Sequence, residues 1–159
     1  MYRVRDLEKN CWVYGAIYLS PSGRLYESKN GLFGTTKLKL APIERYVVQK
    51  RIDLEDKTGR FLHEGDIIKA IVANDEIRIG LVTFAPEYSS YIMLCFHTNE
   101  FYVLGNRISE DIEIIGNVFE NKDLLPSENE AEDKVNKDDE SLQKQEVQSW
   151  EVYRRISRW

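Results

Sequence analysis

The sequence predicts a mainly β protein: a small antiparallel barrel, SH3-like or similar, with hairpin extensions, then an acidic linker and a short C-terminal helix. Three observations carry that expectation. Short runs rich in β-branched and aromatic residues recur from residue 11 to residue 121, separated by Gly, Pro, Asn and Asp. The run "EIRIGLVTF" alternates strictly, with Ile77, Ile79 and Leu81 on one side and Arg78, Gly80 and Val82 on the other. After Pro126 the apolar runs stop and charge takes over. Many short strands at close spacing with turn signals between them are the pattern of an antiparallel barrel or sandwich.

Taken in order, "CWVYGAIYL" (11–19) reads as one strand, "SPSG" as a turn and "RLYE" as its return strand. "KNG" at 29–31 carries the Asn-Gly pair of a tight hairpin. Residues 35–43 carry no assignable pattern, and "ERYVVQKRI" resumes a strand. "DKTG" is a turn in which Asp56 can accept local backbone hydrogen bonds and Gly59 tolerates a positive φ. In "FLHEGDIIKAIVA" Gly65 redirects the chain, Glu64 flanks it, and Asp66 can cap the reversed backbone before Ile67 and Ile68 enter the core. Asp56, Gly59, Glu64, Gly65 and Asp66 are therefore read as structural turn residues. Asn74 and Asp75 join 66–73 to 76–84, "YIMLCF" pairs with "EFYVL", and "IEIIGNVF" closes the set.

The chain has 159 residues, enough for one core, with 42% apolar and 31% charged residues and a formal net charge of -5. That acidic balance, with a pI near 5.2, argues against a protein that coats duplex nucleic acid, and it suggests no broad basic face. No window approaches eighteen apolar residues and "MYRVRDLEKN" holds no signal-peptide core, so a cytoplasmic location and no membrane are expected. Cys11 and Cys95 are too few and too far apart for a disulfide scaffold or a zinc site, and both are read as small buried hydrophobes.

Catalytic signatures are weak. His63, Glu64 and Asp66 could form an acid–base cluster, but turns recruit acids beside glycine for geometric reasons, and no nucleophile stands next to them. Cys95 and His97 share a strand face, yet two ligands do not make a metal centre. No phosphate-binding glycine loop occurs. No catalytic residue, cofactor or metal is expected. Arg5, Trp12, Tyr14 and Tyr18 could stack single-stranded bases, since stacking needs only exposed rings and nearby cations; packing within the sheet is the plainer role for strand aromatics.

Residues 1–125 are read as the β domain, 126–140 as a disordered linker and 141–159 as an amphipathic helix. Residues 127–140 hold seven acidic and two basic side chains and almost nothing to bury. In the last segment Trp150, Tyr153, Arg154, Ile156, Arg158 and Trp159 are of the types that anchor protein interfaces. A helix so short needs a docking surface, on its own barrel or on another chain.

Three blocks then resemble the YopX-like proteins of bacterial phages and prophages. "NCWVYGAIYLSPSG" is similar to that family's "WVYG" segment, "DLEDKTGRFLHEGDIIKA" to "GLKDKNGKEIYEGDIVK", and "IEIIGNVFENKDLL" to "EVIGNIYENPELL". The blocks lie in order across residues 2–125. Ile52 and Asp53 depart from the family's Thr-Gly. The resemblance implies a β-rich, phage-associated protein of a bacterial cytoplasm with no assigned reaction, seen as an oligomer. The expected activity is a non-catalytic protein-binding or self-assembling module whose partner is a copy of itself or a phage or host protein. The alternative is a single-stranded nucleic-acid-binding accessory protein.

Overall fold

The computed structural model describes residues 1–30, 36–72, 75–98, 100–105 and 112–126. It is mainly β, with antiparallel sheets, one of them curled into half a barrel. The chain divides into two compact units, Met1–Arg51 and Ile52–Trp159.

In the first unit, β1 (Tyr2–Asp6) lies between β2 (Cys11–Val13) and the first half of β6 (Tyr46–Glu55). A second, three-stranded sheet is built from β3 (Ile17–Leu19), β4 (Leu25–Asn30) and β5 (Thr36–Leu40). Period-two alternation sends Tyr2, Val4, Val13, Tyr46 and Val48 from one sheet, and Ile17, Leu19 and Leu25 from the other, into one core with Ala41. The expected continuous strand 11–19 is two strands in two different sheets. Gly15, at φ 74°, lets the chain leave one sheet for the other, a bend that a Cβ would strain. Cys11 is exposed rather than buried, because it opens the edge strand β2 just after the left-handed Asn10. The unassigned stretch 35–43 holds β5 and the start of a short 3-10 turn. The Asn-Gly hairpin tip lies outside the described residues, although β4 and β5 do pair.

In the second unit, β7 (Phe61–His63) follows the end of β6, and five strands form one sheet in the order β11-β10-β9-β8-β12. These are β8 (Asp66–Ile71), β9 (Ile77–Ala85), β10 (Ser90–Cys95), β11 (Phe101–Val103) and β12 (Ile112–Asn117). β8 buries residues on both faces of this sheet, Ile67 on one and Ile68 with Ala70 on the other, which suits the near-continuous apolar character of "DIIKAI". Ile68, Ala70, Val82, Met93 and Cys95 pack with Ile52, Leu62, Leu104 and Ile112. Ile67 and Leu81 point the other way, onto Phe96 and Val118. The alternation predicted for "EIRIGLVTF" is what β9 shows, with Leu81 and Val82 in opposite cores. Asp75, at φ 58°, supplies the left-handed residue of the β8–β9 hairpin. A bulge between Ile114 and Gly116 bends β12 across β8.

Gly80 sits where a side chain has no room: a Cβ there would collide with the Leu94 carbonyl and lie 2.8 Å from Met93 Cγ. Replacing Gly80 by Ala is therefore expected to force β9 and β10 apart and cost about 3 kcal/mol, read as a lowered urea midpoint with unchanged slope.

Candidate functional site

The turn residues singled out in the sequence form a hydrogen-bonded structure. Asp56 directly follows β6, with its side chain wholly buried. Its Oδ1 accepts from the Thr58 and Arg60 amides at 2.9 and 3.0 Å and from the Thr58 hydroxyl at 2.6 Å. Its Oδ2 accepts from the Arg60 guanidinium at 2.7 and 3.1 Å and from the Ile114 amide at 3.2 Å. Arg60 also donates to the Ile114 carbonyl at 2.8 Å. Burial alone would push the Asp56 carboxyl up; the donors from Thr58, Arg60 and Ile114 outweigh it and hold the group far below the ordinary carboxylate range. Gly59 takes φ 80° and Gly65 φ 84°. Gly65 donates its amide to Val82 and accepts from Val118, so the β7–β8 turn is tied to β9 and to the segment after β12. Glu64, beside it, is half-buried.

Among the acid–base candidates, Asp66 ties the β7–β8 turn. Asp66 is 1% exposed and its Oδ2 accepts the His63 backbone amide at 2.8 Å, while His63 Nδ1 lies 4.0 Å away. Cys95 is buried and its thiol is pushed up to about 11, chiefly by that burial, far from the range of a nucleophilic thiolate; His97 beside it is exposed. Among the described residues no group of three or more His, Cys, Asp or Glu could hold a metal.

The base-stacking set is only partly brought together. Arg5 and Trp12 are cross-strand partners, and the Arg3 and Arg5 guanidinium carbons lie 4.4 and 5.1 Å from the Trp12 ring centroid. Arg5 is 3% exposed and donates to Asn10 Oδ1 at 2.7 Å, and Arg3 donates to Gln49 at 2.6 Å. Tyr14 follows β2 with 82% exposure, and Tyr18 belongs to the other sheet. Trp150, Tyr153, Arg154, Ile156, Arg158 and Trp159 lie outside the described residues.

Sequence reasoning missed the most distinctive surface. Cross-strand registers pair Tyr18 with Tyr26, Tyr26 with Leu40 and Ser28 with Leu38, so these five share one face of the β3-β4-β5 sheet. Glu27 pairs with Lys39 and Lys29 with Lys37, so they share the other face with Ile17 and Leu25. The first face carries no charge, yet Tyr18 is 46% exposed and Leu38 and Leu40 are each 58% exposed. The ordinary arrangement for a sheet with one solvated face is the reverse, with the charges outward. Beside the charged face, a cleft of about 400 Å³ is lined by Asp6, Lys9, Cys11, Glu27, Lys29 and Arg45 among others. At its base Tyr46 donates to Glu27 at 2.8 Å. Asp6 repeats the Asp56 device: it accepts the Glu8 and Lys9 amides and a fork from Arg45 whose shorter arm is 2.6 Å.

The sequence profile of the YopX protein family matches residues 1–126. This chain belongs to the YopX protein family. Its fold is similar to the crystal structure of protein yopX from Bacillus subtilis, with a TM-score of 0.55 and 17% identity over 79% of this chain and 97% of that one. It is also similar to protein EF1440 from Enterococcus faecalis, with a TM-score of 0.45 and 18% identity over 79% and 96% of the two chains. No curated protein matches it. Within the YopX match fall both aspartate-centred turns and the charge-free sheet face; residues 127–159 lie beyond it.

Removing the Asp56 carboxylate takes the acceptor from six donors, three of them backbone amides, so Asp56→Ala is expected to cost about 3–5 kcal/mol in urea unfolding. The pH dependence follows from the lowered native pKa. The unfolded carboxyl titrates near 3.9, so the stabilisation is full above about pH 4 and is lost as pH falls from there toward the native value. A urea midpoint that drops below pH 4 in the wild type, and less steeply in Asp56→Ala, checks it.

Proposed function

We propose that this YopX family member is a non-catalytic protein-binding module that assembles with a second copy of itself through the charge-free face of the β3-β4-β5 sheet. It would act in the phage or prophage setting, and the bacterial cytoplasm, that the family resemblance implies. The observation that carries the proposal is the partition of charge on that sheet: Tyr18, Tyr26, Ser28, Leu38 and Leu40 on one face, with every charged residue on the other. Interface cores are depleted of charge and enriched in aromatic residues, and in a chain with 31% charged residues a solvated face without any is unusual.

A second copy suits this face because a two-fold interface is isologous, so one uncharged apolar patch is its own complement. Lys37 and Lys39 on the terminal strand β5 oppose edge-to-edge pairing of copies, which leaves face-to-face packing as the mode. The non-catalytic part is supported by the turn roles of His63 and Asp66 and by the buried, neutral Cys95. Base stacking is less well supported, because Trp12 is already flanked by two arginines and Arg5 is buried.

Salt separates the two readings. Two copies of a net-charged chain repel, so association through an uncharged face is expected to tighten between about 20 and 300 mM salt, whereas oligonucleotide binding weakens over that range. Sedimentation of the full chain is expected to show a dimer that Leu38→Glu with Leu40→Glu weakens by tenfold or more, since two buried apolar side chains are lost and two charges must be desolvated. A wild-type monomer at about 100 µM, or a dimer indifferent to both substitutions, would remove this face from the assembly.

A further inference from the structure

The whole-chain charge hides a basic unit: residues 1–51 contain ten Lys and Arg against four Asp and Glu, a net of +6, in a chain of -5. The cleft beside the charged face of the β3-β4-β5 sheet lies wholly within that unit. Strand register explains its walls. Asp6 is the cross-strand partner of both Cys11 and Tyr46, so all three stand on one face of the β2-β1-β6 sheet, with Val13 two residues beyond Cys11. From the second sheet, Ile17 is the partner of Glu27, and Lys29 follows on the same face. The cleft is thus the open end of the core that these two sheets share. Val13 and Ile17 belong to that core, while Cys11 and Lys29 are exposed. Lys9, exposed in the turn between β1 and β2, completes the mouth.

The carboxylates of the cleft are already engaged. Asp6 accepts the Arg45 fork and two backbone amides. Glu27 accepts the Tyr46 hydroxyl, whose pKa is pushed up to about 12, first by burial and then by that bond, so Tyr46 adds no negative charge. Lys9 and Lys29 make no ion pair with the described residues. The lining therefore carries three cations, Lys9, Lys29 and Arg45, against two carboxylates, and the two lysines are the cations without a carboxylate partner.

We propose that this cleft binds a small phosphomonoester, with its phosphate between Lys9 and Lys29 and its organic part against Val13 and Ile17. Two ammonium groups arriving from different strands suit an anion with about two negative charges and three acceptor oxygens, which a phosphomonoester supplies and a carboxylate does not. The volume of about 400 Å³ falls in the range of small-molecule sites, about 300–1,000 Å³. The cleft lies on the charged side of the β3-β4-β5 sheet, away from the charge-free face, so this proposal and the contact between copies stand or fall separately.

Cys11 in the wall gives the test its readout, because its thiol is exposed and Cys95, the other cysteine, is buried. Alkylation of Cys11 by iodoacetamide is followed by mass spectrometry on the full chain, at constant ionic strength, with phenyl phosphate as the probe. Bound ligand slows the reaction by the factor one plus its concentration over Kd, so about 5 mM probe is expected to slow Cys11 about threefold or more. The slowing should be lost in Lys9→Gln with Lys29→Gln, and kept in Lys37→Gln with Lys39→Gln, whose lysines do not line the cleft. In the wild type, the same addition should protect Lys9 and Lys29 from acylation but leave Lys37 and Lys39 unchanged. No slowing of Cys11 in the wild type, or equal slowing in the Lys9 and Lys29 variant, would overturn the proposal. Protection of all four lysines alike would overturn it in favour of anions gathering on a basic unit without a site. Equal protection of Cys11 by benzyl alcohol or by benzoate would overturn it in favour of a neutral or a carboxylate ligand.

Discussion

The second unit depends on one buried carboxylate. A hairpin between β6 and β7 needs the chain to reverse over Asp56 to Gly59, and a reversal leaves backbone donors with no strand to pair with. Asp56 takes up two of them with one oxygen, then uses the other to reach the Ile114 amide in β12, fifty-eight residues later. The local turn and the distant strand are thereby set by the same group. A neutral acceptor could satisfy the amides, but an ionised one also holds the Arg60 fork, which in turn bonds the Ile114 carbonyl. The charge is tolerable in a buried place because its acceptor sites are filled.

The first unit solves the same problem in the same way. Asp6 ends β1 much as Asp56 follows β6, accepts the next free amides, and is gripped by Arg45 from just before the neighbouring strand. Its carboxyl is lowered first by Arg45, against the opposing effect of burial. Asn117 ends β12 with a neutral version, its Oδ1 accepting the Phe119 and Glu120 amides. Strand ends in this fold are thus closed by short acceptor side chains. That is why acids cluster in its turns.

Much of this was legible because it is local. The turn at Asp56 and Gly59, the redirection at Gly65, the alternation of β9 and the β10–β11 pair each follow from a few adjacent residues. The role of Asp6 was not, because "DLEKN" lacks the glycine that makes "DKTGR" conspicuous; a left-handed Asn10 does that work instead. The break inside "CWVYGAIYL" was missed because its composition is continuous and only Gly15 marks the change of sheet. In β5, lysines alternate with exposed leucines, a pattern that resembles an ordinary half-buried strand until the register shows that the leucines are the outward side. Sequence period reports that two faces exist; it does not report which one the core takes. Reach across the chain was equally invisible, since nothing in "IEIIG" announces a bond to Asp56.

The separation of charge is what links the fold to a use. A chain of net charge -5 carries +6 in its first 51 residues, so its charge is unevenly divided along the sequence. Of the 23 acids after residue 51, nine lie beyond the family's matched span, while Lys9, Lys29, Lys37 and Lys39 lie within it. The three-stranded sheet is divided as well, one face from the other. Its uncharged face, with Leu38 and Leu40 each 58% exposed, is what the proposed contact with a second copy would use. That contact would tighten with salt, because screening relieves the repulsion between two copies of a net-charged chain.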